Sequence, residues 1–253
     1  MFVETMEDDI KIMTFKNGKT NPINREMLVR LKEIIDEVNA SPTARGIILT
    51  GDGRFFSSGF DLPIFINFKD QKEAIGFFEM EEAVLLALFT CEKPVVSAIN
   101  GHCAAAGLIY SMAADYRIAK DHPKIKIGMT EIKIGLGLSI AQHEVMRFGF
   151  DGNLKFRDVM YFGNMYGVEQ AKQLQLIDEV VSEDQLIDRA KQVIKQWIDT
   201  PNRPFIQMKQ MLRMDTARRI QKKLKEENWH DGMNSFFKDD VRKALEFVQA
   251  SMA

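Results

Sequence analysis

Cysteine is scarce in this chain. Cys91 and Cys103 are the only two in 253 residues, too few for a disulfide framework, and free thiols suit a reducing compartment. No apolar run approaches the ~20 residues that a helix needs to cross a bilayer. There is no basic block: 34 Lys and Arg stand against 36 Asp and Glu, a net charge of −2, which argues against nucleic acid as a main partner. Histidine is limited to four, and no His/Cys cluster has metal-ligand spacing, so no metal is expected. Neither a G-x-x-x-x-G-K-[ST] loop nor a G-x-G-x-x-G loop occurs. The opening M-F-V-E-T-M-E-D-D-I is acidic and lacks a cationic stretch before an apolar one, so it reads as neither a secretory signal nor an Arg-rich transit peptide. These absences give the expectation of a cytoplasmic chain with no membrane segment.

Enough apolar material is present for a core: 45% hydrophobic against 28% charged. Asp9 to Lys16 reads as a strand ending in the turn Asn17-Gly18. Asn24 caps a helix from Arg25 to Asn39, whose apolar face is Met27, Leu28, Leu31, Ile34, Ile35 and Val38. Strand, turn and helix recur through Ile47, Phe78, Val95 and Leu108, and further helices are expected at 139–148, 154–161 and 168–174, with a strand at 176–181. Alternating strands and helices predict an α/β fold with parallel strands. From Glu183 the pattern is helical: 185–198, 204–225 and 239–252, broken by Pro201 and Pro204.

Two stretches carry chemistry. Val95 to Ile99 is an apolar strand; Asn100-Gly101 ends it, the run H-C-A-A-A-G follows, and a helix opens at Leu108. Ile47 to Thr50 is a second strand, followed by G-D-G-R-F-F-S-S-G-F-D-L at Gly51 to Leu62. Small residues in such turns have two uses. They allow close helix–sheet packing, or they present free N–H groups at a helix start to a developing oxyanion. Farther on, Glu131 interrupts I-K-I-G-M-T-E-I-K-I-G-L-G-L. A carboxylate among Ile127, Met129, Ile132, Ile134 and Leu136 is either a desolvated base or a surface group paired with Lys126 or Lys133.

Taken together, F-S-S-G-F-D-L (Phe56 to Leu62), K-P-V-V-S-A-I-N-G-H-C-A-A-A-G (Lys93 to Gly107) and G-M-T-E-I-K-I-G-L (Gly128 to Leu136) resemble the crotonase superfamily of enoyl-CoA hydratases and isomerases. The third segment is especially similar to that of Δ3,Δ2-enoyl-CoA isomerases. The resemblance runs from the first strand to the last helix. It implies a spiral core of ββα units over residues 1–197, a helical trimerisation region over 198–253, and a homotrimer or dimer of trimers. It implies an acyl-CoA thioester as substrate and no cofactor, coenzyme A being part of that substrate. The thioester oxygen would be held by the N–H groups of Phe60 and Ala106, and Glu131 would be the catalytic base. Ser58, Gly59, Asp61, Leu62 and Gly107 would shape the substrate site, while Arg54, Lys16 and Lys19 would meet the coenzyme A phosphates. Phe247 matches an aromatic that contacts coenzyme A from a neighbouring subunit; the lysine that accompanies it falls near Ala250.

Two departures bear on the chemistry. The family has glycine where this chain has Ala105 and Ala106; alanine serves if φ stays negative, and its methyls narrow the pocket. Hydratases carry a second glutamate where this chain has Ile109. One base suffices to move a double bond, so the resemblance implies an isomerase. A hydratase, dehydratase or lyase of an unusual acyl-CoA would recruit Glu79, Glu82 or His143, and a non-catalytic acyl-CoA-binding trimer is the third alternative. Among the other polar groups, His102 is expected to pack locally, His143 to lie on a helix surface, Glu79, Glu81 and Glu82 to be mostly solvated, and Asp61 to fix its turn by bonding backbone N–H groups. Pro63 to Ile75, with Phe65, Ile66 and Phe68, is expected to be a mobile wall of the acyl pocket.

Overall fold

The expected rhythm of paired strands and helices is present in the computed structural model, which describes residues 2–226 and 228–252. A hairpin of β1 (Phe2–Glu7) and β2 (Ile10–Phe15) turns through Asp8 and Asp9, both at positive φ. The sequence pattern revealed only the second of these strands. Helix α1 (Arg25–Ala40) follows; the Asn24 side chain accepts from the Met27 N–H at 2.9 Å, as its capping role requires. Then come β3 (Gly46–Gly51), β4 (Phe55–Ser57), α2 (Leu62–Ile66) and α3 (Gln71–Phe89). The next unit is β5 (Val95–Ile99), β6 (His102–Ala104) and α4 (Ala106–Ala113). The third is β7 (Tyr116–Lys120), β8 (Ile127–Gly128), a 3₁₀ turn (Glu131–Ile134), α5 (Ile140–Phe148) and α6 (Asn153–Phe162). β9 (Met165–Tyr166), α7 (Val168–Gln173) and β10 (Glu179–Val181) close the core, and α8 (Leu186–Ile198), α9 (Pro204–Glu226) and α10 (Asp239–Met252) complete the chain.

Each repeat gives its first strand to a six-stranded sheet, ordered β1-β2-β3-β5-β7-β10, and its short second strand to a four-stranded sheet, ordered β4-β6-β8-β9. Pairing is parallel except at β1–β2 and β8–β9. The central strands β3 and β5 of the large sheet are buried on both faces, which explains why they carry almost no polar residues. Met13, Phe15, Ile47, Leu49, Val95 and Ile99 face the main core, packed against α1, α3 and α4. The alternate residues, Ile10, Ile12, Ile48, Val96, Ala98 and Ile118, meet Ala190, Val193 and Ile194 of α8.

The C-terminal helices are bound into this core. Asp115 follows α4, and its carboxylate takes Lys209 Nζ at 2.7 Å and Arg213 at 2.9 Å, both from α9, as well as the Val95 N–H at 2.8 Å. Arg213 also donates to the carbonyls of Phe89, Ala113 and Ala114, and Lys209 to that of Lys93. All three charged groups are buried, so each depends on the others. Asp115→Ala leaves two buried cations without their carboxylate and is expected to cost about 3–5 kcal/mol of unfolding free energy. Urea denaturation measures this, and a loss below about 1 kcal/mol would refute the dependence.

Candidate active site

Two strand-to-helix turns meet at the end of the small sheet. Phe60 forms an isolated parallel bridge with Ile23, in which Ile23 N donates to Gly59 O at 2.8 Å and Asp61 N donates to Ile23 O at 2.9 Å. Parallel pairing engages the residues on either side, so the N–H of Phe60 itself points the other way. Ala106 opens α4, where a backbone N–H has no intrahelical acceptor and the helix dipole is positive. Gly59 lets the turns touch. It sits at φ +106°, and a Cβ there would lie 2.6 Å from Ala105 Cβ and 3.2 Å from Ala106 N. Gly107 serves packing: a Cβ would come within 2.7 Å of Ser57 O.

Ala105 corrects one expectation. Its φ is +55° with ψ −131°, not negative. Its N–H donates to Gly128 O at 3.2 Å and its carbonyl accepts from Ile109 N at 3.1 Å, so the reversal from β6 into α4 holds it there. Such a conformation costs a side-chain-bearing residue about 1–3 kcal/mol.

Glu131 opens the 3₁₀ turn, and its Oε2 accepts from the Thr130 N–H at 2.9 Å. The residue keeps part of its surface open, but its carboxyl group is enclosed by protein. Burial pushes its pKa up to about 7, against the opposing effect of its own N–H and that of Thr130. No cation acts on it among the described residues, which favours the desolvated carboxylate over the alternative of a surface pair with Lys126 or Lys133.

The three elements share a cavity of about 60 Å³, walled by Ser58, Phe60, Leu62, Ala105, Ala106, Ile109 and Glu131 together with Phe65, Phe78, Gln142 and Phe236. Glu131 is the only ionisable side chain on this wall. A larger cavity of about 470 Å³ lies on its other side, with Met129, Ile132, His143, Phe156 and Met160. Five residues singled out in the sequence stand elsewhere. Asp61 precedes α2 but makes no side-chain capping bond; burial raises its pKa. Arg54 lines a separate surface cavity of about 360 Å³ with His102, Lys120, His122 and Lys124. His102 packs at a tilt against Phe55 and accepts from the Lys126 N–H, as expected of local packing. Phe247 is 77% exposed on α10, away from the cavity of its own chain. Lys16 pairs with Asp52.

The enoyl-CoA hydratase/isomerase family model matches residues 5–248. The chain belongs to that family. Human mitochondrial enoyl-CoA delta isomerase 1 is 27% identical over 238 residues, covering 94% of this chain and 78% of that protein. A probable enoyl-CoA hydratase of Mycobacterium avium is 31% identical over 185 residues, covering 72% and 69%. Among solved structures, human mitochondrial Δ3,Δ2-enoyl-CoA isomerase superposes with a TM-score of 0.90 at 25% identity, over 99% of this chain and 97% of that one. The enoyl-CoA hydratase of Bacillus halodurans gives 0.84 at 22% identity, over 97% and 99%. The crotonase fold is therefore common to relatives of both names, and the protein is an enzyme family member whose reaction the site itself must distinguish.

Sequence reasoning missed Gln142, Phe78 and Phe236 on the cavity wall, and it placed the α3 acids wrongly. Glu79 is exposed, but Glu81 and Glu82 are buried against α5. The S-I-A-Q pattern at Ser139 to Gln142 was a visible capping box, whereas nothing local marks Phe236, which arrives from the C-terminal region. Ala105→Gly is expected to raise stability by about 1 kcal/mol, the strain relieved less the added freedom of glycine when unfolded. Thermal denaturation tests this; a lowered melting temperature would count against strain at residue 105.

Proposed function

We propose that the protein is a Δ3,Δ2-enoyl-CoA isomerase in which Glu131 carries one proton from C2 to C4 of the acyl group. The observation that carries this reading is a single carboxyl group on a wall that also holds two outward N–H groups, with Ile109 where a hydratase has its second acid. Ionised Glu131 takes the C2 proton of a 3-enoyl thioester. The electrons of the broken C2–H bond form a C1–C2 double bond as the carbonyl π electrons move onto the thioester oxygen, whose negative charge the Phe60 and Ala106 N–H groups stabilise. As the carbonyl re-forms, the C1–C2 electrons move into the C2–C3 bond and those of the C3–C4 bond take the same proton at C4, leaving the conjugated 2-enoyl thioester and restoring the carboxylate. No water is consumed, and the apolar Ile109 side chain keeps one away from the dienolate. The shuttle requires no cofactor, coenzyme A entering with the substrate.

A trimer is part of the proposal. Met208, Met211 and Leu212 form an exposed stripe on α9, at 60–69% exposure, and Phe247 on α10 is free to reach a neighbour's site. The cytoplasmic compartment rests on the two unpaired cysteines, Cys91 and Cys103, both buried. No helix among the described residues is long and apolar enough to cross a membrane.

Glu131→Gln is expected to lower kcat for 3-enoyl-CoA isomerisation by at least about 10²–10⁴-fold while acyl-CoA binding persists. Retained turnover would overturn the assignment. In the native enzyme kcat/KM rises with pH through about 7 as Glu131 ionises, and levels above it. Stability runs the opposite way. The folded pKa lies above the ordinary 4.5, so the stabilisation is fully present below 4.5 and is lost as pH rises to about 7. Glu131→Gln, free of that loss, is expected to melt higher than the native protein at pH 8.

A hydratase reading has one observation in its favour: His143 lines the larger cavity beside Glu131. Ile109→Glu distinguishes the readings. On the isomerase reading, wild-type protein adds no water to a 2-enoyl-CoA and the variant gains that activity, as mass spectrometry of the products would detect.

A further inference from the structure

Helix α3 carries two carboxyl groups that the proton shuttle does not use. Glu81 and Glu82 are neighbours in sequence, and both are buried, at 0% and 1% exposure. The groups facing them are Tyr110 from α4 and the first turn of α5 with its cap, Ser139 to Gln142. No cation acts on either carboxyl among the described residues. Glu82 Oε2 accepts from the Ala141 N–H at 2.8 Å, and the Ser139 hydroxyl lies 3.5 Å from Glu81 Oε2. Gln142 and Tyr110 stand close enough to act on Glu81, yet neither Tyr110 OH nor Gln142 Nε2 completes a hydrogen bond of ordinary length.

Two buried carboxylates without a cation do not both ionise, because each desolvated charge raises the cost of the other. One charge is well placed, at the positive end of α5 and on its free N–H groups. Burial and the presence of Glu82 push Glu81 well above the usual carboxylate range, while Glu82, raised by burial, is held down by Ser139 and the first N–H groups of α5. The charge therefore belongs on Glu82 and the proton on Glu81.

What the pair holds leads directly to the candidate site. Leu136 to Leu138 runs without regular structure from the Glu131 turn to Ser139; Leu136 and Gly137 wall both cavities that Glu131 faces, and Leu138 walls the larger. Gln142 accepts from the Ser139 N–H at 3.1 Å and itself lines the smaller cavity. We propose that Glu81 and Glu82 are positioning residues: sharing one proton and one negative charge, they fix the first turn of α5 and through it the Glu131 turn and the Gln142 wall. Loss of the shared proton at alkaline pH sets two charges against each other there and releases that turn, so turnover falls on the alkaline side independently of Glu131.

The kinetic part of this inference rests on the isomerase reading, and the test separates the two. The pH profile of kcat is measured on a 3-enoyl-CoA for the native enzyme, Glu81→Gln and the double variant Glu81→Gln/Glu82→Gln. The native profile is expected to be bell-shaped. Glu81→Gln, nearly isosteric, keeps the acid limb near pH 7 and loses the alkaline limb. The double variant has no charge on α5 and is expected to lose about tenfold or more in kcat, with KM changed less than about threefold. A role in folding alone would lower melting temperatures and leave the limbs in place. An alkaline limb unchanged in Glu81→Gln, no such limb in the native enzyme, or native kcat in the double variant would each overturn the proposal. If no 3-enoyl-CoA is turned over, the isomerase reading fails by itself. The pair is then tested by infrared spectroscopy at neutral pH in the Glu131→Gln background, where a buried protonated-carboxyl band lost in Glu131→Gln/Glu81→Gln supports the shared proton and a band that persists overturns it.

Discussion

Everything at the site depends on two turns approaching to van der Waals distance. Gly59 and Ala105 come from different repeats of the spiral, and a single methyl at residue 59 would push them apart. Because β4 and β6 are adjacent parallel strands, their ends lie side by side, and the residues that follow Gly59 and Ala105, Phe60 and Ala106, border the same cavity. The strain at Ala105 belongs to the same arrangement. The backbone bonds to Gly128 and Ile109 hold a conformation that glycine would adopt freely, in a place where the methyl also narrows the cavity.

Three sets of buried charge show how differently one interior treats carboxyl groups. Asp115 has two cations and a backbone donor, and fastens α9 to the core. Glu131 has only backbone donors, and its proton affinity rises to near neutrality. Glu81 and Glu82 have each other and a helix N-terminus. The first arrangement gives cohesion; the second gives a carboxyl group that changes protonation near neutral pH, and relief of its burial would stabilise the ionised fold at the expense of that shift.

Much of this was legible in the sequence. The apolar strands at Ile47 and Val95, the Asn24 cap and the helices at Arg25, Leu186 and Asp239 all follow from local pattern, since burial on both faces makes strands continuously apolar and caps are short-range. The turns at Gly59 and Ala106 and the apolar setting of Glu131 were readable as well. What escaped depended on long-range packing. Phe236 reaches Phe65, Phe68 and Phe78 from about 160 residues away in sequence, joining an aromatic cluster that no window detects. Glu81 and Glu82 looked solvated because a charged pair on an amphipathic helix usually is, and only the arrival of α5 changes their surroundings. Ala105 escaped because residue type suggests negative φ while the path between β6 and α4 demands the reverse.

The order in which the cavity acquires its walls has a consequence for synthesis. Strands β1 to β8, the turns at Gly59 and Ala105 and Glu131 are all made by residue 134, but Phe236 closes the cavity and Val241 packs over the Glu131 turn beside Gly135. During synthesis Glu131 and the two turns are therefore present while the cavity is still open on one side. α10 and the segment before it follow the sheet in the chain and finish the enclosure, so the cavity closes only after the sheet that positions its floor has been made.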